Sequence, residues 1–124
     1  MILFLDDSPE RAALAYQRFK PKDRERTIWC KTVEEAIYTL RDYKDHLTAV
    51  LLDHDFGGKH VHTAREDCGM EIVRYLERLH KKNELGNLKN IYYKIHTWNI
   101  DSGNVMFKRM KNIGLKVEYI PFGL

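Results

Sequence analysis

Five short apolar runs, each separated from the next by a longer amphipathic stretch, decide most of what this chain can fold into. The runs are Ile2–Leu5, Thr27–Cys30, Thr48–Leu52, Asn90–Ile95 and Val117–Ile120, the last ended by Pro121. Short runs apolar on both sides predict strands buried on both faces, as in parallel sheets. The first intervening stretch predicts a helix, with Ser8 as cap, Pro9 at the first position and Arg11–Phe19 carrying the helical pattern until Pro21 ends it. Thr32-Val33-Glu34-Glu35 is a capping box, and the helix behind it is expected to reach about Lys44 with Val33, Ile37 and Leu40 on one face. A third helix is predicted over Met70–Lys82, with Ile72, Val73, Leu76 and Leu79 inward. A fourth is predicted over Ser102–Ile113, stopped by Gly114. Strands alternating with helical crossovers imply an α/β fold: a five-stranded parallel sheet, doubly wound, in the order 2-1-3-4-5.

The sequence holds no repeat, linker or low-complexity run, so its 124 residues are expected to form a single domain. A hydrophobic fraction of 44% and a charged fraction of 31% fit an ordinary soluble core and surface. The net charge of +3 permits anionic ligands, but with no dense basic stripe it gives no sign of double-stranded DNA binding. Lys81-Lys82 reads as a solvated helix end. Met1–Leu5 is apolar but runs straight into Asp6-Asp7, too short for a signal or membrane span, so a cytoplasmic location is expected. Cys30 and Cys68 share no CxxC spacing, and neither stands beside an evident activating base. Both are expected as reduced, non-catalytic thiols.

Parallel α/β sheets bind their ligands beyond the carboxyl ends of the strands. That rule gathers Asp6-Asp7, Asp53-His54-Asp55 and His96-Thr97 at one edge. Asp6, Asp7, Asp53 and Asp55 would repel one another there, and carboxylate oxygens suit Mg²⁺ or Mn²⁺ as the compensating cation. The plainer alternative is that Asp7 starts a helix and Asp55 caps a turn. His54 and His96 are expected to face one ligand and divide acid and base roles; alternatively, one of them is a structural histidine bonded to backbone. In Trp98–Asn104, Asn99 and Ser102 offer groups to a ligand oxygen and Gly103 permits close backbone approach, with capping by Asp101 or Ser102 as the simple reading. His60-Val61-His62 is expected in an exposed loop.

The skeleton resembles the receiver domain of response regulators, with Asp6-Asp7, Asp53 and Thr97 where that family keeps its metal ligands, phosphoacceptor and hydroxyl. Receivers carry a lysine just before the proline of the last strand; here Ile120 precedes Pro121. The chain is more similar to a divergent branch, the cyclic-phosphate processing receiver domains. The matching residues are Leu5-Asp6-Asp7 with Arg11, Leu52-Asp53-His54-Asp55-Phe56-Gly57, Gly69, and His96-Thr97-Trp98-Asn99 with Gly103 and Met106. Gly58–Asp67 is longer than expected between these motifs.

The resemblance implies a hydrolase acting on a cyclic or terminal phosphate of a nucleotide or RNA end. In that reading Asp6, Asp7, Asp53 and Asp55 hold the metal, and His54, His96 and Asp53 carry the chemistry. Thr97, Asn99, Ser102, Gly103 and Arg11 bind phosphate. The alternative is an atypical receiver that binds a nucleotide or a protein without turnover.

Overall fold

A computed structural model of the chain describes residues 1–55 and 68–121. Phe56, Gly57 and the Gly58–Asp67 segment with His60 and His62 lie outside the described residues. Every strand is four residues long: β1 Ile2–Leu5, β2 Thr27–Cys30, β3 Ala49–Leu52, β4 Tyr92–Ile95 and β5 Lys116–Tyr119. All pairings are parallel, in the expected order β2-β1-β3-β4-β5.

The helices are α1 Pro9–Arg18, α2 Pro21–Glu25, α3 Val33–Asp42, α4 Met70–Lys81 and α5 Ile100–Asn112, with a 3₁₀ turn at Gly86–Lys89. Ser8 caps α1 by accepting from Arg11 N, and Thr32 caps α3 by accepting from Glu35 N. Two local expectations need correction. Pro21 does not merely end α1; it opens the short α2 from its first position, where a missing N–H costs nothing. The helix expected from Ser102 begins two residues earlier, because Asn99 and not Asp101 or Ser102 supplies the cap, accepting from Ser102 N at 3.2 Å. Gly114 stops α5 as expected, with φ +83°.

The core is lopsided. α3, α4 and α5 cover one sheet face, where Leu3, Leu5, Val50, Leu52, Tyr93 and Ile95 meet Leu40, Val73, Leu76, Met106 and Met110. Among the described residues the other face carries a small cluster, Ala12 and Ala15 of α1 on Phe4 and Leu51. Towards β5 that face turns polar: Lys94 and Glu118 stand in register, as do Tyr92 and Lys116. Strand alternation alone produces this split, since every second residue changes face.

The register also sets the site. Leu5 pairs with Cys30 and Leu52, Leu52 with Ile95, and Ile95 with Tyr119, so all five strands end level. The ladder runs one step further through Asp53 N to Leu5 O at 3.1 Å and His96 N to Leu52 O at 2.9 Å. Asp6, Asp53 and His96 are therefore neighbours along one edge, about one strand spacing apart.

Candidate functional site

Asp6, Asp53 and His96 are each the first residue past a strand, so they share the parity of Phe4 and Leu51 and belong to the α1 face. The stacking of the His96 ring on Phe4, centroids 5.2 Å apart, follows from this. Arg11, one turn into α1, points back at the same edge. Its Nε donates to Asp6 Oδ2 at 2.8 Å and its Nη2 to Asp6 Oδ1 at 2.7 Å and Asp53 Oδ2 at 3.2 Å, with Asp7 Oδ1 at 3.5 Å.

Asp6 is entirely buried, and its carboxylate is saturated. Ser8 N and Arg11 Nη2 donate to Oδ1, while Arg11 Nε and His96 Nε2 donate to Oδ2, the last at 3.1 Å. Burial opposes its ionisation, but the bonds from His96, Arg11 and Ser8 outweigh it and hold its pKa below the usual aspartate value. An ionised acceptor requires a donor, which fixes the His96 proton on Nε2. Asp53 is nearly as buried, and burial dominates there, raising its pKa. The His96 charge, the His54 N–H and Arg11 only partly offset burial, and Asp6 adds to it.

Asp6, Asp7 and Asp53 place one carboxylate oxygen each within 4.8 Å of the others. A set of hard oxygen donors this close fits a divalent cation of the Mg²⁺ or Mn²⁺ class. Asp55, expected as a fourth ligand, is held elsewhere: its Oδ1 accepts from His54 Nδ1 at 2.7 Å and from Asn99 Nδ2 at 3.2 Å.

The expectation that two imidazoles face one ligand is not met. His96 is the first residue past β4, but His54 is the second past β3, so the same parity sends them to opposite faces. His54 turns towards the start of α4, where Gly69 N donates to its carbonyl at 2.9 Å. Both rings are fully buried. With Nδ1 donating to Asp55, the neutral ring presents a lone pair at Nε2, and this atom has no hydrogen-bond partner among the described residues.

Cys68 corrects a second expectation, because an activating base does stand beside it. The thiol lies next to His54 without completing a well-formed bond to Nε2. Burial works against protonating His54, yet Cys68 and Asp55 together raise its pKa. Burial likewise works against ionising Cys68, yet His54 leads the groups that lower its pKa. Sequence spacing gave no sign of this contact, which depends on docking α4 against β3. Gly69 shows how tight that docking is: a Cβ there would overlap the Asp53 carbonyl oxygen and stand 2.9 Å from His54 Cα.

The residues expected on phosphate divide into two groups. Arg11 and Asn99 are partly exposed and carry donors. Thr97, Ser102 and Gly103 are buried behind them. Thr97 Oγ1 accepts from Asn99 N at 3.1 Å, which shapes the turn into α5. Gly103 is needed for a different close approach from the one expected, since a Cβ would press into the Tyr119 ring, 2.7 Å from its hydroxyl oxygen. Tyr119 in turn donates to Thr97 O at 3.1 Å. Sequence reasoning passed over Tyr119 because it reads as an ordinary strand residue. Ile120, just before Pro121, is 42% exposed.

A level-ended parallel sheet in this order, with acidic residues past β1 and β3, defines a receiver-like α/β domain. The chain belongs to the cyclic-phosphate processing receiver domain family, whose model matches residues 1–112. No curated protein and no solved structure matches the chain.

Proposed function

We propose that this protein is a metal-assisted phosphoesterase that processes a cyclic or terminal phosphate on a nucleotide or an RNA end. One observation carries the reading: oxygens of Asp6, Asp7 and Asp53 converge within 4.8 Å at the edge where parallel sheets bind ligands. Three carboxylates crowded at one edge call for a cation between them and an anionic phosphate. A bound Mg²⁺ or Mn²⁺ supplies Lewis acidity towards a phosphoryl oxygen.

The chain's own residues do the rest. Asp6, Asp7 and Asp53 form the cation seat. Asp55 accepts from both His54 Nδ1 and Asn99 Nδ2, so the buried His54 braces the rim from below and Asp55 positions Asn99. His96 holds Asp6 in place from beneath and shares the edge with Asp53. Arg11 and Asn99, both partly exposed, are the donors for phosphate oxygens, Arg11 once its guanidinium leaves the carboxylates, while Thr97, Ser102 and Gly103 set the turn that presents Asn99.

The test is a hydrolysis screen of nucleoside 2′,3′-cyclic phosphates and short RNAs ending in that group, with Mg²⁺, with Mn²⁺ and with chelator. Turnover that needs metal and disappears in a folded Asp53→Asn protein supports the reading. A folded, metal-loaded protein that turns over none of them contradicts it and favours a binding module.

A further inference from the structure

The cation that occupies the acidic cluster in this structure belongs to the chain itself. A single atom, Arg11 Nη2, meets an oxygen of each of the three carboxylates: Asp6 at 2.7 Å, Asp53 at 3.2 Å and Asp7 at 3.5 Å. Ions of the Mg²⁺ class bind oxygen at ~2.1 Å, so an ion on these same oxygens and Nη2 cannot coexist. Asp6 closes the remaining route, because an ionised carboxylate offers about four acceptor positions and four donors already fill them. Ser8 N and His96 are fixed by backbone and burial. Arg11 is the one donor of the four on a long, partly exposed side chain.

We propose that Arg11 is a built-in counter-cation that competes with the metal for Asp6, Asp7 and Asp53, and so sets the affinity of the centre. Without metal it neutralises carboxylates that would otherwise repel one another. Metal entry requires it to let go of Asp6, which frees a bidentate donor at the rim for a phosphate oxygen. Metal loading and phosphate binding are then coupled through one side chain. This inference rests on the reading that the three carboxylates hold a divalent cation.

The experiment titrates Mn²⁺ alone into the full chain and counts free ion by electron paramagnetic resonance. The proteins are wild type, Arg11→Gln, Arg11→Lys and Asp53→Asn, with folding checked by circular dichroism in chelator. Arg11→Gln is expected to bind Mn²⁺ at least tenfold tighter than wild type. Arg11→Lys, which keeps the charge but loses the fork, is expected to fall between them. If Arg11→Gln does not fold without metal, the Lys variant decides. Equal or weaker binding by the Arg11 variants, with Asp53→Asn abolishing binding, overturns the proposal and leaves the metal reading intact. Binding indifferent to Asp53→Asn, or absent from wild type and Arg11→Gln alike, overturns the metal reading and the proposal with it.

Discussion

His96 Nε2 donates to Asp6 Oδ2 across 90 residues of sequence, joining the ends of β4 and β1 over the intervening β3. Both partners are fully buried, and the ring stacks on Phe4. The bond is part of what keeps Asp6 ionised in the interior.

His96→Phe tests that bond, since a phenyl ring keeps the stack and removes the donor. A buried hydrogen bond to a charged group contributes about 1.5–3 kcal/mol, so a loss on the order of 2 kcal/mol is expected in urea unfolding with chelator present. The contribution has a definite pH sign. The pKa of Asp6 is lowered by folding, so its stabilisation is complete above the ordinary value of 3.8 and fades as pH falls through the folded value. The gap between wild type and variant should therefore close in acid. A gap that is absent at neutral pH, or unchanged in acid, refutes this role for His96.

Asp53 behaves in the opposite sense. Its pKa is raised by folding, so its favourable contribution exists below 3.8 and is lost as pH rises through the folded value. At neutral pH without metal its ionised form is a net cost to folding. Asp53→Asn, whose amide oxygen keeps the bond from His54 N, is expected to be more stable than wild type in chelator at pH 7. The difference should shrink towards pH 4. Destabilisation by this variant at pH 7 would mean that the ion pair with Arg11 outweighs burial.

The edge that carries these aspartates was legible in the sequence for a simple reason. Short doubly buried strands leave few registers, and the first polar residue after each marks its end, so Asp6, Asp53 and His96 could be aligned from one-dimensional spacing. The opposite facing of His54 and His96 was latent in the same spacing, one residue past a strand against two. The role of Asn99 as cap was hidden by two equally good caps, Asp101 and Ser102, just behind it. The Cys68–His54 contact had no local signal, because it depends on how α4 docks on the sheet; the four-residue spacing of Asp7 and Arg11 was visible, but the reach of Arg11 to Asp53 was not.

Gly69→Ala is expected to be among the most damaging single changes, because its Cβ would meet backbone at Asp53 and His54, which cannot swing aside. Overpacking of this kind costs about 1–3 kcal/mol, and α4 must retreat from the site to relieve it. Unfolding should show a loss near the top of that range. Mn²⁺ affinity should fall in whatever fraction remains folded. A variant with wild-type stability and metal binding would contradict the close docking.

Gly103→Ala should be milder and reparable. Its Cβ meets the outer end of the Tyr119 ring, a side chain that can be shortened. A double-mutant cycle with Tyr119→Leu is expected to show a coupling of about 0.5–3 kcal/mol, the pair costing less than the sum of the singles. Simple additivity would mean that the two residues do not press on one another.

The central claim is that Asp6, Asp7 and Asp53 form a metal seat that serves phosphoester hydrolysis. The most direct measurement is the rate of opening of a nucleoside 2′,3′-cyclic phosphate, followed by ³¹P NMR for wild type and Asp53→Asn, each with Mn²⁺ and with chelator. Turnover by wild type with Mn²⁺ alone, and by Asp53→Asn in neither condition, is the predicted result. Turnover that survives in chelator or in a folded Asp53→Asn protein would contradict it.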